Sequence, residues 1–258
     1  MPGARGGINE KSGIRGSYGA GGLARAARGV RENCVARARV LIASFAALAV
    51  FAALGAAFSS AAEQSARRFP VSNFRVVERE SGPVNYYKVF KDADPPFIRA
   101  EYRPPYETTV VGVEVPDADR ASARTLSWRW RAVKLPNGGN ECEAGKGDSA
   151  AVVYISWRRT LRWYALKYVW SAVGPKGATC DKKSNPFAAQ DTVVLESGAP
   201  LNEWKSERID LKAEFRKHFE HGDPTASVPD FMGVGLMSDG DQTHSDSSAD
   251  YADFVLTR

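Results

Sequence analysis

The chain of 258 residues carries 35 Lys and Arg against 30 Asp and Glu, a formal charge of +5. The excess is local: eight of the basic and two of the acidic residues fall in residues 1–62, leaving 27 against 28 in residues 63–258. That larger part has no long basic run, which excludes nucleic acid as a partner, and its length suits one domain with a sizeable core.

The first element is a leader. Arg25, Arg28, Arg31, Arg37 and Arg39 precede an apolar run from Val40 to Phe58, and Ser60-Ala61-Ala62-Glu63 fits the small-x-small pattern of a signal-peptidase site. The pattern predicts export to the periplasm or beyond, with the positive charge setting orientation at the membrane. The run of 19 residues is close to a bilayer span, so an uncleaved anchor also fits, although the Ala-rich composition favours cleavage. The basic stretch before it is long for a signal, and a translation start near Val30 is expected to give one of ordinary length.

Cys34 lies in the leader, leaving Cys142 and Cys180 as the pair in residues 63–258. In an oxidising compartment they are expected to form a disulfide, stabilising the fold by roughly 3–4.5 kcal/mol. Two free thiols are the alternative. Neither Cys has a second Cys or a His at metal-ligand spacing.

Beyond residue 69 the period is two. Short strands are predicted at Phe74 to Val77, Tyr86 to Phe90 and Ile98 to Tyr102, then a fuller one at Thr108 to Val115. Thr125 to Arg131 alternates apolar and polar residues, Ala150 to Trp157 is rich in Val, Ile and Tyr, and Arg162 to Trp170 follows. Asp191 to Glu196, Met232 to Met237 and Tyr251 to Leu256 read the same way. Pro95-Pro96, Pro104-Pro105, Asn137-Gly138-Gly139 and Gly174-Pro175 mark turns between them. One helix is predicted around Leu211 to Phe219, where apolar residues recur every four positions. The expected fold is all-β: a single antiparallel β-sandwich of jelly-roll type over residues 63–258, with one short peripheral helix.

Alternation assigns faces. Leu126, Trp128, Trp130 and Ala132 share a side, opposite Arg129 and Arg131; Tyr154, Ser156 and Arg158 oppose Val153, Ile155 and Trp157; Trp163 and Lys167 oppose Tyr164, Leu166, Tyr168 and Trp170. If these strands are neighbours, one outer face collects Arg129, Arg131, Tyr154, Arg158, Trp163 and Lys167. Guanidinium groups pair with carboxylates and rings stack on sugar C–H groups, so the face suits an acidic glycan. A solvated face with long basic stems is the plainer alternative. On the glycan reading, Ala at both Arg129 and Arg131 weakens binding and leaves the melting temperature nearly unchanged.

After the strand ending at Met237 comes Ser238-Asp239-Gly240-Asp241-Gln242-Thr243-His244-Ser245-Asp246. Asp239, Asp241 and Asp246 are hard oxygen donors of the kind a structural calcium takes, with Asp148 and Asp253 as candidates to approach the loop. It is not an EF-hand, and a polar turn bonded to its own backbone is the alternative. No Gly-x-Ser-x-Gly, His-Glu-x-x-His or phosphate-cradling loop occurs. His218 and His221 read as surface groups at the end of the helix, and no catalytic residue is assigned.

Several segments together resemble a known family, the bacterial exported proteins catalogued as domain of unknown function 3047. They are Leu126-Ser127-Trp128-Arg129-Trp130-Arg131, Gly147-Asp148-Ser149, Leu161 to Trp170, Val194-Leu195-Glu196-Ser197-Gly198, Trp204-Lys205-Ser206-Glu207, Met232 to Thr243 and Tyr251-Ala252-Asp253-Phe254. The resemblance implies no activity. The ending is similar to the last strand of jelly-roll carbohydrate-binding modules, in which an Asp near that strand helps hold calcium. Ser149 stands where a second Asp is common, which weakens a metal at that loop.

The expectation is an exported cell-envelope binding protein recognising a glycan or another envelope component, touching the membrane only through an uncleaved leader. A polysaccharide-active enzyme with an unlocated carboxylate pair, or an envelope scaffold binding another protein, are the alternatives. The sequence leaves the oligomeric state open.

Overall fold

In chain order the strands are β1 (Ala66–Phe69), β2 (Arg75–Arg79), β3 (Tyr87–Phe90), β4 (Phe97–Tyr102), β5 (Thr109–Glu114), β6 (Thr125–Lys134), β7 (Ser149–Arg159), β8 (Arg162–Ser171), β9 (Thr179–Ser184), β10 (Ala188–Ser197), β11 (Lys205–Asp210), β12 (Asp230–Met237) and β13 (Ser247–Thr257). Helices α1 (Asp117–Arg120) and α2 (Leu211–Phe219) interrupt them. This computed structural model describes residues 66–79 and 86–258. The expected leader, its cleavage site and the start near Val30 lie outside the described residues. Among the described residues no helix is long and apolar enough to cross a membrane.

Two sheets form. One has the order β11-β6-β13-β4-β3, with β1 also pairing β13; the other has the order β2-β5-β12-β7-β8-β10-β9. The chain changes sheet at β1–β2, β2–β3, β4–β5, β5–β6, β6–β7, β10–β11, β11–β12 and β12–β13, the sheet-switching of a jelly roll. The all-β sandwich expected from alternation is therefore present. One pair departs from the antiparallel rule, because β10 runs parallel to β8. After β8 the chain skips a position to lay β9 at the edge, and the β9–β10 hairpin then fills the gap.

The residues assigned inward form the core. Trp128 and Trp130 from β6 meet Tyr168 and Trp170 from β8 across the sandwich, with ring centroids 5.8 and 6.0 Å apart. Such offset and edge-to-face ring pairs add about 0.5–1.5 kcal/mol each beyond area burial. Helix α2 starts where the Asp210 carboxylate accepts from the Lys212 and Ala213 N–H groups. It then presses Phe215 and Phe219 onto Trp157 and Tyr164.

On the opposite face of the larger sheet, Val152, Val169, Val194 and Met237 form a second, small apolar cluster. The 135–148 loop is fastened to the end of β8, where Ala172 and Val173 donate to the Gly139 carbonyl. The expected disulfide joins Cys142 of this loop to Cys180 of β9.

Candidate functional site

The six residues expected on one face are divided by the topology. Arg129 and Arg131 lie on β6 in the smaller sheet, whereas Tyr154 and Arg158 on β7 and Trp163 and Lys167 on β8 lie in the larger. The expectation failed because alternation fixes a residue's side of its own strand but says nothing about which strands are neighbours. The β6–β7 connection is long and crosses to the other sheet.

Arg129 and Arg131 belong to a ladder of rings and guanidinium groups. Arg99 lies over Phe90 and Phe97, Arg131 over Phe97 and Trp204, and Arg129 over Trp204, at 4.6 to 5.6 Å from the ring centres. Beneath them is Asp250, whose side chain has no exposure. Arg99 clasps it through Nε at 2.6 Å and Nη2 at 2.8 Å, and Arg131 adds Nε at 2.7 Å. This bonding to Asp250 holds the Arg99 pKa above its ordinary value. Asp253 bonds Arg129 at 3.2 Å on this same ladder, turned there by a left-handed φ of 55° at a β-bulge. The guanidinium groups are thus committed to carboxylates and to rings, which argues that removing Arg129 and Arg131 together lowers stability, against the expectation of a nearly unchanged melting temperature.

A second cluster sits at the start of β7. Asp148, Asp239 and Asp241 bring carboxylate oxygens within 4.8 Å of one another. Asp239 accepts from the Ser149 N–H at 2.9 Å, and Asp148 accepts from the N–H groups of Gln242 and Thr243. Gly240 makes the loop possible: a Cβ there would lie 1.9 Å from the Ser245 carbonyl oxygen. Beside the triad, Lys167 is buried and donates to Glu141 at 2.7 Å. Lys167 was expected on an outer, ligand-binding face, but it is buried, where Glu141 of the 135–148 loop takes its ammonium. Burial opposes its charge, yet Tyr154, Asp239 and Glu141 hold its pKa above the ordinary lysine value.

Burial pushes the Asp239 carboxyl up to about 8, and Glu141 and Asp148 add to the rise while Lys167 opposes it. Burial and the bond to Asp148 raise Asp241 as well. Carboxylates this close need protons or a cation between them, and their donor chemistry fits a hard divalent ion. Asp148, Asp239 and Asp241 would hold it. The other two expected ligands are elsewhere: Asp246 is half-buried and pairs with Lys134 at 2.7 Å, and Asp253 sits on the ladder.

The third cluster was not foreseen. A groove of about 420 Å³ opens between the β7–β8 hairpin, β9 and the end of α2. Arg159, Arg162, Lys182 and Lys183 line it, with Tyr164, Phe219, Asp191, Glu220, His218 and His221. His218 was expected at the surface, but its side chain is only 3 % exposed. Its Nδ1 lies 2.9 Å from Asp191, which also takes Lys182 at 3.1 Å, and its Nε2 lies 3.6 Å from Glu214. Glu214, which accepts from Tyr168 at 2.7 Å, is held below the usual carboxylate range by His218. Arg159 pairs with Glu220 at 2.9 Å. Arg162 stacks on Tyr164 and donates to Ser184, and its Nε has no hydrogen-bond partner. The sequence signal was the run Arg158-Arg159-Thr160-Leu161-Arg162 facing Lys182-Lys183, legible only once β10 was known to pair with β8.

The family described as "Protein of unknown function (DUF3047)" matches residues 80–255. The chain belongs to this family. DUF3047 thus covers nearly all of the described sandwich, including the ladder, the triad and the groove. No curated protein matches the chain. Among solved structures, a family 11 carbohydrate-binding module from Clostridium thermocellum, in complex with a β-1,3-1,4-mixed-linked tetrasaccharide, aligns at 10% identity and a TM-score of 0.40, over 74% of this chain and 95% of its own. Endoglucanase 3 of family GH12 from Trichoderma harzianum aligns at 9% identity and a TM-score of 0.33, over 75% and 90%.

Proposed function

We propose that this DUF3047 protein is an exported cell-envelope protein that binds an acidic glycan in the groove between the β7–β8 hairpin, β9 and α2. The observation that carries the reading is a concave site lined by four cations. Ligand sites are concave, and a guanidinium fork recognises carboxylates bidentately. Glu220, Asp191 and Asp181 pair with Arg159, Lys182 and Lys183, so among the described residues the groove offers Arg162, which bonds Ser184 and has no carboxylate partner, as its open anion-binding group. Those same pairings leave none of the three carboxylates as an unengaged acid for glycosidic chemistry. The leader pattern and the Cys142–Cys180 bridge support export.

The test is calorimetric titration with uronic-acid-containing and neutral oligosaccharides. Saturable binding to the acidic set, weakening with salt and falling at least tenfold in Arg162→Gln, is the expected result. Binding that ignores both the ligand's charge and Arg162 refutes the reading.

A further inference from the structure

Hairpin β7–β8 turns through Thr160 and Leu161, closed by the pair Arg159 and Arg162. Hairpin β9–β10 turns beside it, because Trp163 donates its N–H to the Phe187 carbonyl at 2.8 Å. The two tips therefore stand together at one end of the larger sheet. They hold out Leu161, 69% exposed, Phe187, 68% exposed, and Trp163, 43% exposed. Phe187 does not belong to a loose loop. The Asn185 carboxamide oxygen accepts from the Phe187 and Ala188 N–H groups at 2.8 Å each, fastening the turn.

Charge accompanies the apolar tips. Residues 158–163 and 182–188 contain Arg158, Arg159, Arg162, Lys182 and Lys183 and no acid. The acids nearest them are Asp181, which pairs with Lys183, Asp191, Glu220, and Asp230 opposite Arg158 on β12. Arg158 lies over the Trp163 ring, 5.3 Å from its centre. The acidic triad occupies the other end of β7, an eleven-residue strand spanning roughly 35 Å. The protruding tips with their cations and the acidic triad thus lie at opposite ends of β7.

We infer that the paired hairpin tips dock onto an anionic lipid bilayer, with Leu161, Trp163 and Phe187 entering the headgroup region and the surrounding cations against the lipid phosphates. An indole ring and long cationic stems suit the membrane–water boundary, which is apolar on one side and wet on the other. Basic residues near an anionic surface draw the tips there, and the apolar side chains hold them. The inference does not depend on the glycan reading.

The test places an environment-sensitive fluorophore on the full chain carrying Cys34→Ser. One label sits at Leu161→Cys and, as a control, another at Leu201→Cys beyond the far end of β10. The probes are vesicles of phosphatidylcholine alone or mixed with phosphatidylglycerol. With phosphatidylglycerol, the label at 161 is expected to shift blue and to be quenched by brominated acyl chains, while that at 201 is not. A local readout keeps the leader's own insertion out of the result. High salt should reverse the shift, and Lys182→Gln or Lys183→Gln should weaken partitioning about fivefold each. Phe187→Ser should weaken it roughly tenfold or more while leaving glycan titration in the groove unchanged. No shift at 161, an equal shift at 201, or equal response to both vesicle types overturns the inference. A shift at 161 produced by soluble protein and not by vesicles reassigns the tips to a protein partner and overturns it as well.

Discussion

Replacing Arg131 with Ala separates a structural ladder from a binding face. The side chain bonds Asp250 at 2.7 Å and lies between Phe97 and Trp204, with its guanidinium carbon 5.4 and 4.6 Å from the ring centres. Losing a hydrogen bond to a charged group costs about 1.5–3 kcal/mol. Losing the two ring contacts adds about 0.5–1 kcal/mol each. Asp250 keeps Arg99, so the fuller penalty of a stranded buried charge, about 3–5 kcal/mol, is not reached. The expected loss is therefore about 3 kcal/mol, which in a domain of this size lowers the melting temperature by about 6–12 °C. Urea unfolding followed by circular dichroism measures it directly. Arg131→Lys should recover only part, since an ammonium cannot reproduce the planar fork. In the double-mutant cycle, Arg99 and Arg131 should couple through Asp250, and the pair should cost more than the sum of the singles. A loss below about 1 kcal/mol, with additive singles, refutes the ladder as a stabilising unit and returns Arg131 to the list of ligand-facing groups.

Asp239, raised to about 8 in the folded protein against its usual value of 3.8, favours the neutral form. Its contribution to stability is full below about pH 4, is lost as pH rises toward about 8, and is flat beyond. Asp239→Asn keeps the acceptor for the Ser149 N–H, so the stability gained over the parent should grow between about pH 4 and 8 and then level off; a pH-independent difference refutes the assignment. Calcium needs the charged carboxylates, so added calcium should raise the melting temperature more at about pH 9 than at about pH 6. No rise at either pH removes calcium from the triad. Breaking the bridge with Cys142→Ser and Cys180→Ser should cost roughly 3–4 kcal/mol, read by urea unfolding. Because Cys142 anchors the 135–148 loop, the loss should be accompanied by faster amide exchange around Glu141 and Asp148.

The parts of the fold legible in the sequence are those where one face of a strand is buried and the other is not. β6 is the clearest case, since Trp128 and Trp130 alternate with Arg129 and Arg131, and the structure places each on the assigned side. Helix α2 was legible for the same reason with a different period. The strands β1, β9 and β11 were not foreseen. β9 reads Thr-Cys-Asp-Lys-Lys-Ser and β11 Lys-Ser-Glu-Arg-Ile-Asp, and both lie at sheet edges: β9 is exposed along nearly all its length, and the half-buried side of β11 is filled mostly by Lys and Glu, so neither shows apolar alternation. Their backbone pairing is imposed by the neighbours β10 and β6.

The candidate sites were legible only in part for a related reason, because each is made by residues that tertiary pairing brings together. Asp239 and Asp241 were readable as a loop cluster, but only the register of β7 against β12 puts Asp148 beside them. Lys167 alternates as an outward residue, and it is the disulfide-anchored loop carrying Glu141 that encloses it. The groove needs β10 to enter between β8 and β9, a crossing with no local signal. Once that crossing exists, the run 158–162 and the pair 182–183 must meet, and five cations are confined to the two adjacent hairpins. Glu220, Asp191 and Asp181 pair with Arg159, Lys182 and Lys183, which offsets their mutual repulsion and leaves Arg162 without a carboxylate partner among the described residues. The concentration of cations persists beside a domain total of 27 basic against 28 acidic residues, so it reflects placement rather than composition. The sequence spaces these residues about twenty positions apart, so only the crossing of β10 between β8 and β9 turns two ordinary basic stretches into one cationic surface beside the groove and the tips.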